Sequence, residues 1–266
     1  DPDLLPEHVA SDEKHTRNKG KKAYVPTTVG SECILGVSVC EDAGEKTLTA
    51  QYGKFKEEAR NLNPEYSPKS VNTDGWKATI NAWKSLFANI FVVCCFLHVF
   101  IKIRDRSRKK YKEVFNVVAD KIWNCYNAET KASFSQRVRR LFEWAKDEKV
   151  PDVVLNPIKK LKENIGRYSK AYDLPGCHRT SNMIDRLMQR MDRHLFSTFY
   201  FHGSPASANL SIRGWALIHN FAPCNPWTVK KHEGWRSPAE RVNKFRYHEC
   251  WLQNLLTSAS LGGFRQ

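Results

Sequence analysis

The chain has 266 residues, of which 41% are hydrophobic and 27% are charged. This balance is typical of a globular protein with a real core and with room for one large domain or two small ones. Lys and Arg outnumber Asp and Glu by 43 to 28, which gives a net charge of +15. Such a surplus favours a polyanionic partner, most simply nucleic acid, although excess lysine can also serve solubility alone.

Cysteine usage and hydropathy exclude several other classes of protein. The eight cysteines form no C-x-x-C pair, so neither a zinc ribbon nor a thioredoxin motif is indicated. Several, such as Cys40 and Cys94, lie in apolar stretches and are interpreted as reduced core residues of an intracellular protein. The most apolar run, Ile90 to Ile101, is too short to span a bilayer, so no membrane partner is expected. No signal peptide opens the chain, which predicts a cytoplasmic protein, and the start without Met indicates a further upstream segment.

The N-terminal third predicts three strands. "EHVASDEKHT" is short and mixed, "KKAYVPTTVG" alternates and is rich in β-forming residues, and "CILGVSVCED" is a β-branched run that ends in acidic turn residues. Because the gaps between these segments are short, we expect an antiparallel meander.

Two further strands are predicted to alternate with helices. "TLTAQYGKFKEEARNL" has the apolar period of a helix. A short strand at about 69–73 then ends at Asp74, and a helix with Trp76 and Trp83 follows. These tryptophans are interpreted as core residues rather than as base-stacking ones. The run "IFVVCCF" fits a strand that is buried on both faces.

The rest of the chain is predicted to be helical. Three charged amphipathic segments run from about Leu97 to Lys170, the helix with Asp185 comes next, and "ASANLSIRGWALIHNF" is a closing helix. The order predicts an α/β fold: a ribonuclease-H-like mixed sheet of three antiparallel and then two parallel strands, flanked by helices, with an all-helical insertion. The predicted parts are the first part of the core (1–98), the helical insertion (99–175), the Asp185 helix with the closing helix (176–224) and a basic tail (225–266).

Acidic residues occur where such a sheet would hold metal ions. Two-metal phosphoryl transfer needs hard oxygen ligands, in this layout from the first strand, the end of the fourth strand and a helix after the fifth. On the first strand the candidates are Asp12 and Glu13, and strand alternation puts Asp12 on the same face as Ala10. Alternatively, the two acids form a solvated pair beside Lys14 and His15.

Asp74 and Asp185 each have a second interpretation. Asp74 ends a strand and precedes Gly75, which suits a site at the carboxyl end of a sheet, but Thr73 or Asp74 could instead cap the next helix. The spacing from Asn182 to Asp185 fits a helix N-cap followed by an acid that the helix dipole favours.

The helix around Asp185 is predicted to be strongly amphipathic. Helix angles put five apolar side chains on the core face: Ile184, Leu187, Met188, Met191 and Leu195. Three arginines fall on the far side: Arg186, Arg190 and Arg193. Asp185 lies at the edge of the apolar stripe, where an acid can lean into a cleft while the arginines face phosphates or solvent.

A C-x-x-H element, Cys95 to His98, follows the apolar strand. Two ligands do not make a zinc centre, so a structural role is favoured. We expect His98 to fix the strand-to-helix corner beside the carboxylates.

In their order and spacing, these segments resemble a DDE-type transposase of a bacterial insertion sequence. The matching pieces are "SDEKH" with the hairpin "GKKAYVPTTVG", "VNTDGW", "CCFLHVFIKIRDR", "RTSNMIDRLMQRMDR" and "WALIHNFAPCNP". The C-x-x-H element is similar to that of the Mutator-like and hAT-like branches, and the resemblance covers nearly the whole chain.

The resemblance implies a catalytic, metal-binding triad of Asp12, Asp74 and Asp185 that uses two Mg²⁺ or Mn²⁺ ions. The supporting residues that it implies are Cys95, His98 and Asn182. The family usually has Glu in the third position, and the shorter Asp185 would require its helix to approach more closely. Either this is a DDD variant or the third ligand lies elsewhere. Glu163 is a poor substitute, since it lies among lysines.

A protein of this family would cut DNA at the ends of an element and join the freed 3′-hydroxyl to target DNA, without a covalent enzyme intermediate. Its partners would be double-stranded DNA and further copies of itself, in a dimer or larger assembly associated with the nucleoid. The expected phosphate-binding residues are Arg179, Arg186, Arg190, Arg193, Lys109 and Lys110. Wider basic clusters at 104–112, 137–140 and 159–162 are further candidates, although each also fits a solvated helix face.

Two other functions fit the same residues. A catalytically inactive, domesticated derivative would bind DNA without cutting it. A metal-dependent nuclease of the same fold would cut DNA without strand transfer. The complete set of acids argues against the inactive derivative, whereas Asp185 in place of Glu keeps it open.

Overall fold

A five-stranded mixed sheet is the framework of the fold. The computed structural model describes residues 4–107 and 110–262. The strands are β1 (His8–Asn18), β2 (Lys21–Gly30), β3 (Cys33–Val37), β4 (Ser70–Thr73) and β5 (Phe91–Cys94). They form one sheet in the order β3-β2-β1-β4-β5, with β1, β2 and β3 antiparallel and two parallel pairs toward β5. The predicted ribonuclease-H-like fold class is therefore confirmed.

Helices account for most of the remaining described chain. Those between the strands and after β5 are α1 (Glu45–Leu62), α2 (Lys77–Leu86), α3 (Phe96–Ser107), α4 (Lys112–Tyr126), α5 (Lys131–Asp147), α6 (Asp152–Glu163) and α7 (Ile165–Ser169), followed by a 3-10 turn (Lys170–Asp173). The later ones are α8 (Asn182–Ser197), α9 (Pro205–Phe221), α10 (Pro226–Lys231), α11 (Pro238–Asn243) and α12 (Trp251–Ser260).

The described chain divides into two compact units. The first unit comprises residues 4–71, 76–90 and 183–262, and the second comprises residues 72–75, 91–107 and 110–182. The short helices α10, α11 and α12 belong to the first unit. In the described ranges, every helix is too short or too polar to cross a lipid bilayer.

The predicted faces of α8 are confirmed in the first unit. All five predicted core residues are buried, at most 7% exposed, whereas Arg186, Arg190 and Arg193 are exposed. The buried stripe packs against one face of β1 and β2 and against the inner face of α9, with Ala10, Val25, Val29 and Ile212 among its neighbours. Because α8 is polar on its other side, burial of this stripe is what fixes its rotation against the sheet.

Helices α1 and α2 supply an aromatic cluster in the first unit. Trp83 is fully buried, and its ring lies 5.1 Å from that of Tyr52 and 5.8 Å from that of Phe87. The prediction for Trp83 is thus confirmed. Trp76, predicted to share that core, is 38% exposed because it precedes the first turn of α2 instead of lying inside the helix.

The second unit has its own core, built mainly from α3 to α6. Its fully buried members include Ile103, Ile122, Val138, Ile158 and Leu161. Each comes from an amphipathic segment that the sequence predicted. The first of these segments is divided between α3, which ends at Ser107, and α4, which begins at Lys112.

The apolar run at 90–101 corrects one sequence expectation. Only Phe91 to Cys94 is strand, and α3 begins at Phe96. Phe91 is 42% exposed, so burial on both faces is wrong at the start of β5. The reason is that β5 lies at the edge of the sheet, where Lys170 partly covers the Phe91 ring with its ammonium group 4.2 Å from the centroid.

Candidate active site

The two neighbouring acids of β1 point to opposite faces of the sheet. Glu13 is 7% exposed, and its Oε1 accepts hydrogen bonds from the Tyr52 hydroxyl (2.6 Å) and the Thr79 hydroxyl (2.7 Å). Burial, together with the negative field of Glu13, raises the pKa of Tyr52 well above its usual value. Glu13 is therefore a buried structural acceptor under α1 and α2, which leaves Asp12 as the ligand candidate on this strand.

Asp12 lies on the face of β1 that α8 covers. Its neighbours along that face are Ala10, which packs into the core formed with α8, and Lys14, whose ammonium group contacts Asp192 of α8 at 2.5 Å. Asp12 itself is half-buried, and its Oδ1 accepts a hydrogen bond from the Glu13 N–H at 2.8 Å. The alternative of a solvated acidic pair is therefore wrong for this strand.

Contacts along their length show that α8 and β1 run in the same direction. Met183, at the start of α8, accepts a hydrogen bond from the Glu32 N–H in the β2–β3 turn, beside the beginning of β1. Just beyond the end of α8, Phe201 exchanges backbone hydrogen bonds with the last part of β1 and the residue after it. Asp12 and half-buried Asp185 therefore both lie on the N-terminal side of the Lys14–Asp192 contact, on elements that face each other.

Asp74 belongs to the second unit and follows β4 directly. Gly75 has φ +89°, a left-handed conformation that favours glycine, and a Cβ there would approach the Cys94 sulfur at 3.5 Å. Burial mainly raises the pKa of Cys94 to about 11, and the nearby Asp74 carboxylate adds to the shift. The residue immediately before α2 is Trp76, so neither Thr73 nor Asp74 occupies the N-cap position of that helix.

Cys95 ties the end of β5 to the segment that leads into α8. Its backbone N–H donates to the Thr73 carbonyl at 2.7 Å, and its sulfur accepts from the Ser181 N–H at 3.1 Å. Asn72 donates to the His178 carbonyl at 2.8 Å. Within the second unit, these contacts hold the residues beside Asp74 to the chain that enters α8, which favours a structural role for Cys95.

Two further sequence-predicted residues lie in the same stretch. Arg179 was expected to bind phosphate, but its guanidinium lies 4.6 Å from the Tyr126 ring centroid and 4.4 Å from that of Tyr172, and it donates to the Tyr126 carbonyl. This geometry favours a structural role. Asn182 is exposed and is the first helical residue of α8 rather than the residue before it, so it does not occupy the predicted N-cap position. Half-buried His98 lies in the first turns of α3.

The chemistry of the donor set fits a hard divalent cation. Asp12, Asp74 and Asp185 are all carboxylates and all half-buried, so their oxygens are neither sealed in a core nor fully solvated. Mg²⁺ and Mn²⁺ prefer such oxygen ligands. In residues 4–107 and 110–262, no three His, Cys, Asp or Glu side chains are grouped as ligands of one metal ion. The metal site is therefore a proposal that rests on the position of each carboxylate.

Arginines of α8 line a cavity of about 350 Å³ in the first unit. Arg186 and Arg190 share it with Arg241 of α11 and His219 of α9, and Arg241 pairs with Glu32 at 2.8 Å. The other basic residues differ: Lys110 is exposed, and Lys109 lies outside the described residues. Sequence reasoning did not single out Arg241 or His219 as site residues, because only the packing of α9 and α11 brings them beside α8.

His219 predicts a pH dependence of stability. Its pKa is lowered from 6.5 to about 4, chiefly by burial and then by Arg190. Because the unfolded chain binds this proton more readily between pH 6.5 and 4, stability present near neutrality is lost as the pH falls through that window. We expect His219→Gln to remove up to about 3 kcal/mol of that loss, measured by urea unfolding at several pH values. His202→Gln, at an exposed histidine, is the control. The assignment would be contradicted if the His219 variant lost as much stability between pH 6.5 and 4 as the unmodified chain.

Comparison with known proteins gives weak structural similarity only. No protein-family model matches the chain, and no curated protein is significantly similar to it. The HTLV-2 integrase catalytic core domain in complex with magnesium, dimeric form, has 16% identity and a TM-score of 0.27, over 47% of this chain and 90% of that chain. Its trimeric form has 18% identity and a TM-score of 0.26, over 50% of this chain and 84% of that chain. The simian T-cell lymphotropic virus intasome in complex with the PP2A regulatory subunit B56 gamma has 13% identity and a TM-score of 0.25, over 48% of this chain and 51% of that chain. At such values, the fold assignment rests on the strand order of this chain itself.

Proposed function

We propose that the chain is the catalytic part of a DNA transposase of the bacterial insertion-sequence type. In this proposal it cuts DNA at the ends of an element and transfers the freed strand into target DNA, in the cytoplasm and in association with the nucleoid. The partners are double-stranded DNA and at least one further copy of the chain, because two element ends must be brought together.

One observation carries the proposal. Asp12, on the α8-facing side of the central strand, and Asp185, in the first turn of α8, both lie on the N-terminal side of the Lys14–Asp192 contact, and the two facing elements run in the same direction. Asp74, directly after the neighbouring strand β4, adds a third half-buried carboxylate at a strand end. Two-metal phosphoryl transfer in this layout needs one acid on the central strand, one after the parallel strand beside it and one on a later helix. Asp12, Asp74 and Asp185 have these three positions.

The three carboxylates would hold two Mg²⁺ or Mn²⁺ ions. When bound, such ions lower the pKa of water and neutralise charge on the attacking and leaving oxygens. The contribution of the chain itself is positioning: the sheet and α8 hold the acids on rigid elements. Arg186, Arg190 and Arg193 are exposed and supply positive charge for DNA phosphates along the polar side of α8.

A strand-cleavage assay with the element's own ends tests the proposal. We expect the full-length protein to nick labelled DNA ends with Mg²⁺ or Mn²⁺ but not with EDTA, and to join the cut strand to a target plasmid. Cleavage without joining would favour a nuclease of the same fold. Tight DNA binding without any cleavage would favour an inactive, domesticated derivative, and either result overturns the transposase assignment.

A further inference from the structure

Three exposed aromatic side chains lie in the last turn of α8 and in the turn that follows it. Phe196 is 74% exposed and Phe199 is 77% exposed, while Tyr200 beside them is 39% exposed. Large apolar side chains at such exposure lose the stabilisation that burial would give them. A single exposed ring needs no explanation, but three within five residues form a patch that suits a ligand.

The backbone after α8 holds two of these rings, Phe199 and Tyr200, in a defined turn. Phe199 and Tyr200 both have a left-handed conformation, with φ +53° and φ +71°, which side chains other than glycine rarely adopt. The Tyr200 N–H donates to the Leu195 carbonyl at 2.6 Å, and the Phe199 N–H donates to the Phe196 carbonyl at 3.1 Å. The next residue, Phe201, is 5% exposed and anchors the turn in the core. Phe199 and Tyr200 therefore belong to a turn with defined hydrogen bonds, and Phe196 lies in the helical turn just before it.

A basic hairpin tip lies directly beside this turn. The Phe201 N–H donates to the Arg17 carbonyl at 3.2 Å, and the Lys19 N–H donates to the Phe201 carbonyl at 2.8 Å. Arg17, Lys19, Lys21 and Lys22 are all exposed. No ion pair in the described part of the chain involves any of these four, and residues 14–24 and 193–204 contain no Asp or Glu. The tip therefore carries uncompensated positive charge.

We propose that these residues form a binding site for unpaired DNA, in which bases stack on the rings and phosphates pair with the hairpin cations. We call it the aromatic–basic patch; its members are Arg17, Lys19, Lys21, Lys22, Phe196, Phe199 and Tyr200. Stacking platforms beside basic grooves are how proteins bind single strands without reading their sequence. Duplex bases are already stacked on each other, so the rings favour a melted or single-stranded segment.

Charge argues against one other occupant of the patch, and the shape of the aromatic segment argues against a second. A second copy of the chain would bring its own basic hairpin and a net charge of +15, so a self-association through this patch is opposed by repulsion. An anionic lipid surface would attract the cations, but the rings come from a short turn and not from an amphipathic helix with an extended apolar face. Nucleic acid uses both the charges and the ring faces.

The test measures binding of the full chain to a labelled single-stranded oligonucleotide and to its duplex, in EDTA, by fluorescence anisotropy. We expect the double variant Phe196→Ala and Phe199→Ala to weaken single-strand binding roughly tenfold or more while changing duplex binding about twofold at most. Phe→Tyr at both positions keeps the ring faces and is expected to restore binding. Leu210→Ala, at a side chain 73% exposed on α9, is the matched control and is expected to leave both affinities unchanged.

Salt dependence separates the cations from the rings. Lys19→Ala and Lys21→Ala are each expected to lower the slope of log K against log salt by about 0.7 for single strands, whereas the ring variants leave that slope unchanged. Unchanged single-strand affinity in the ring double variant would overturn the inference. The inference would also be overturned if the ring double variant lost only binding to anionic phospholipid vesicles, or changed only the oligomeric state.

The inference rests on the proposed function only for the choice of DNA as ligand, and the two fail separately. A protein that cuts element ends normally but binds single strands equally well without the rings keeps the proposed function and loses the patch. A protein that binds single strands through the rings but never cuts keeps the patch and loses the proposed function.

Discussion

Replacing Asp12, Asp74 or Asp185 by alanine is expected to abolish Mg²⁺-dependent strand cleavage while leaving DNA binding largely intact. Removing even an outer partner of a metal ligand costs roughly 10–100-fold, so loss of a ligand is expected to cost more than about a hundredfold. DNA affinity depends on the basic side chains, and one fewer acid does not weaken it. The measurement is the cleavage rate on labelled element ends, with binding by gel shift in EDTA.

Asp192→Ala is the matched control for Asp185→Ala. Both acids lie on α8, but the Asp192 side chain is 53% exposed even though it contacts Lys14. Such surface pairs contribute about 0–1 kcal/mol, so this variant is expected to fold and to cut normally. If Asp185→Ala cuts as fast as the control, the third ligand is misassigned. A residue other than Asp185 then supplies the ligand that is usually Glu in the family.

The parts of the site that could be predicted from the sequence are those set by residues close to each other along the chain. The faces of α8 follow from helix periodicity alone, because each turn repeats the same choice between core and solvent. The strand order followed from short gaps between the first three strands and helical segments between the later ones. On β1, alternation separated Asp12 from Glu13, but only the hydroxyls of Tyr52 and Thr79, distant in sequence, show which acid is structural.

The features that could not be predicted from the sequence are those set by contacts between residues far apart along the chain. Arg179 and Arg186 carry the same charge, yet two tyrosine rings lie against the first, whereas the second is exposed at the cavity beside α9 and α11. Arg241 reaches its cavity only because α11 packs on α9. The exposed rings after α8 look apolar in sequence, and a pattern of apolar residues predicts burial. The exposure of Phe199 and Tyr200 depends on a left-handed turn that the residue types there do not indicate.

Glu13→Ala is expected to destabilise the first unit strongly. The change removes the acceptor of two buried hydroxyls, those of Tyr52 and Thr79, and leaves a void beside the ring of Tyr52. Each buried donor left without a partner costs about 1–3 kcal/mol, and we expect a total loss of about 3 kcal/mol or more in the free energy of unfolding. Urea unfolding followed by circular dichroism measures it.

Milder variants separate this structural role from catalysis. Tyr52→Phe removes one donor and is expected to cost about 1–2 kcal/mol, and Glu13→Gln, which keeps an acceptor oxygen, is expected to cost less than Glu13→Ala. The exposed Glu57→Ala on α1 is the control, expected within about 0.5 kcal/mol of the unmodified chain. Folded Glu13→Gln should still cut DNA, because its side chain lies on the face of β1 opposite Asp12. If it folds and does not cut while Asp12→Ala does, the first metal ligand is Glu13.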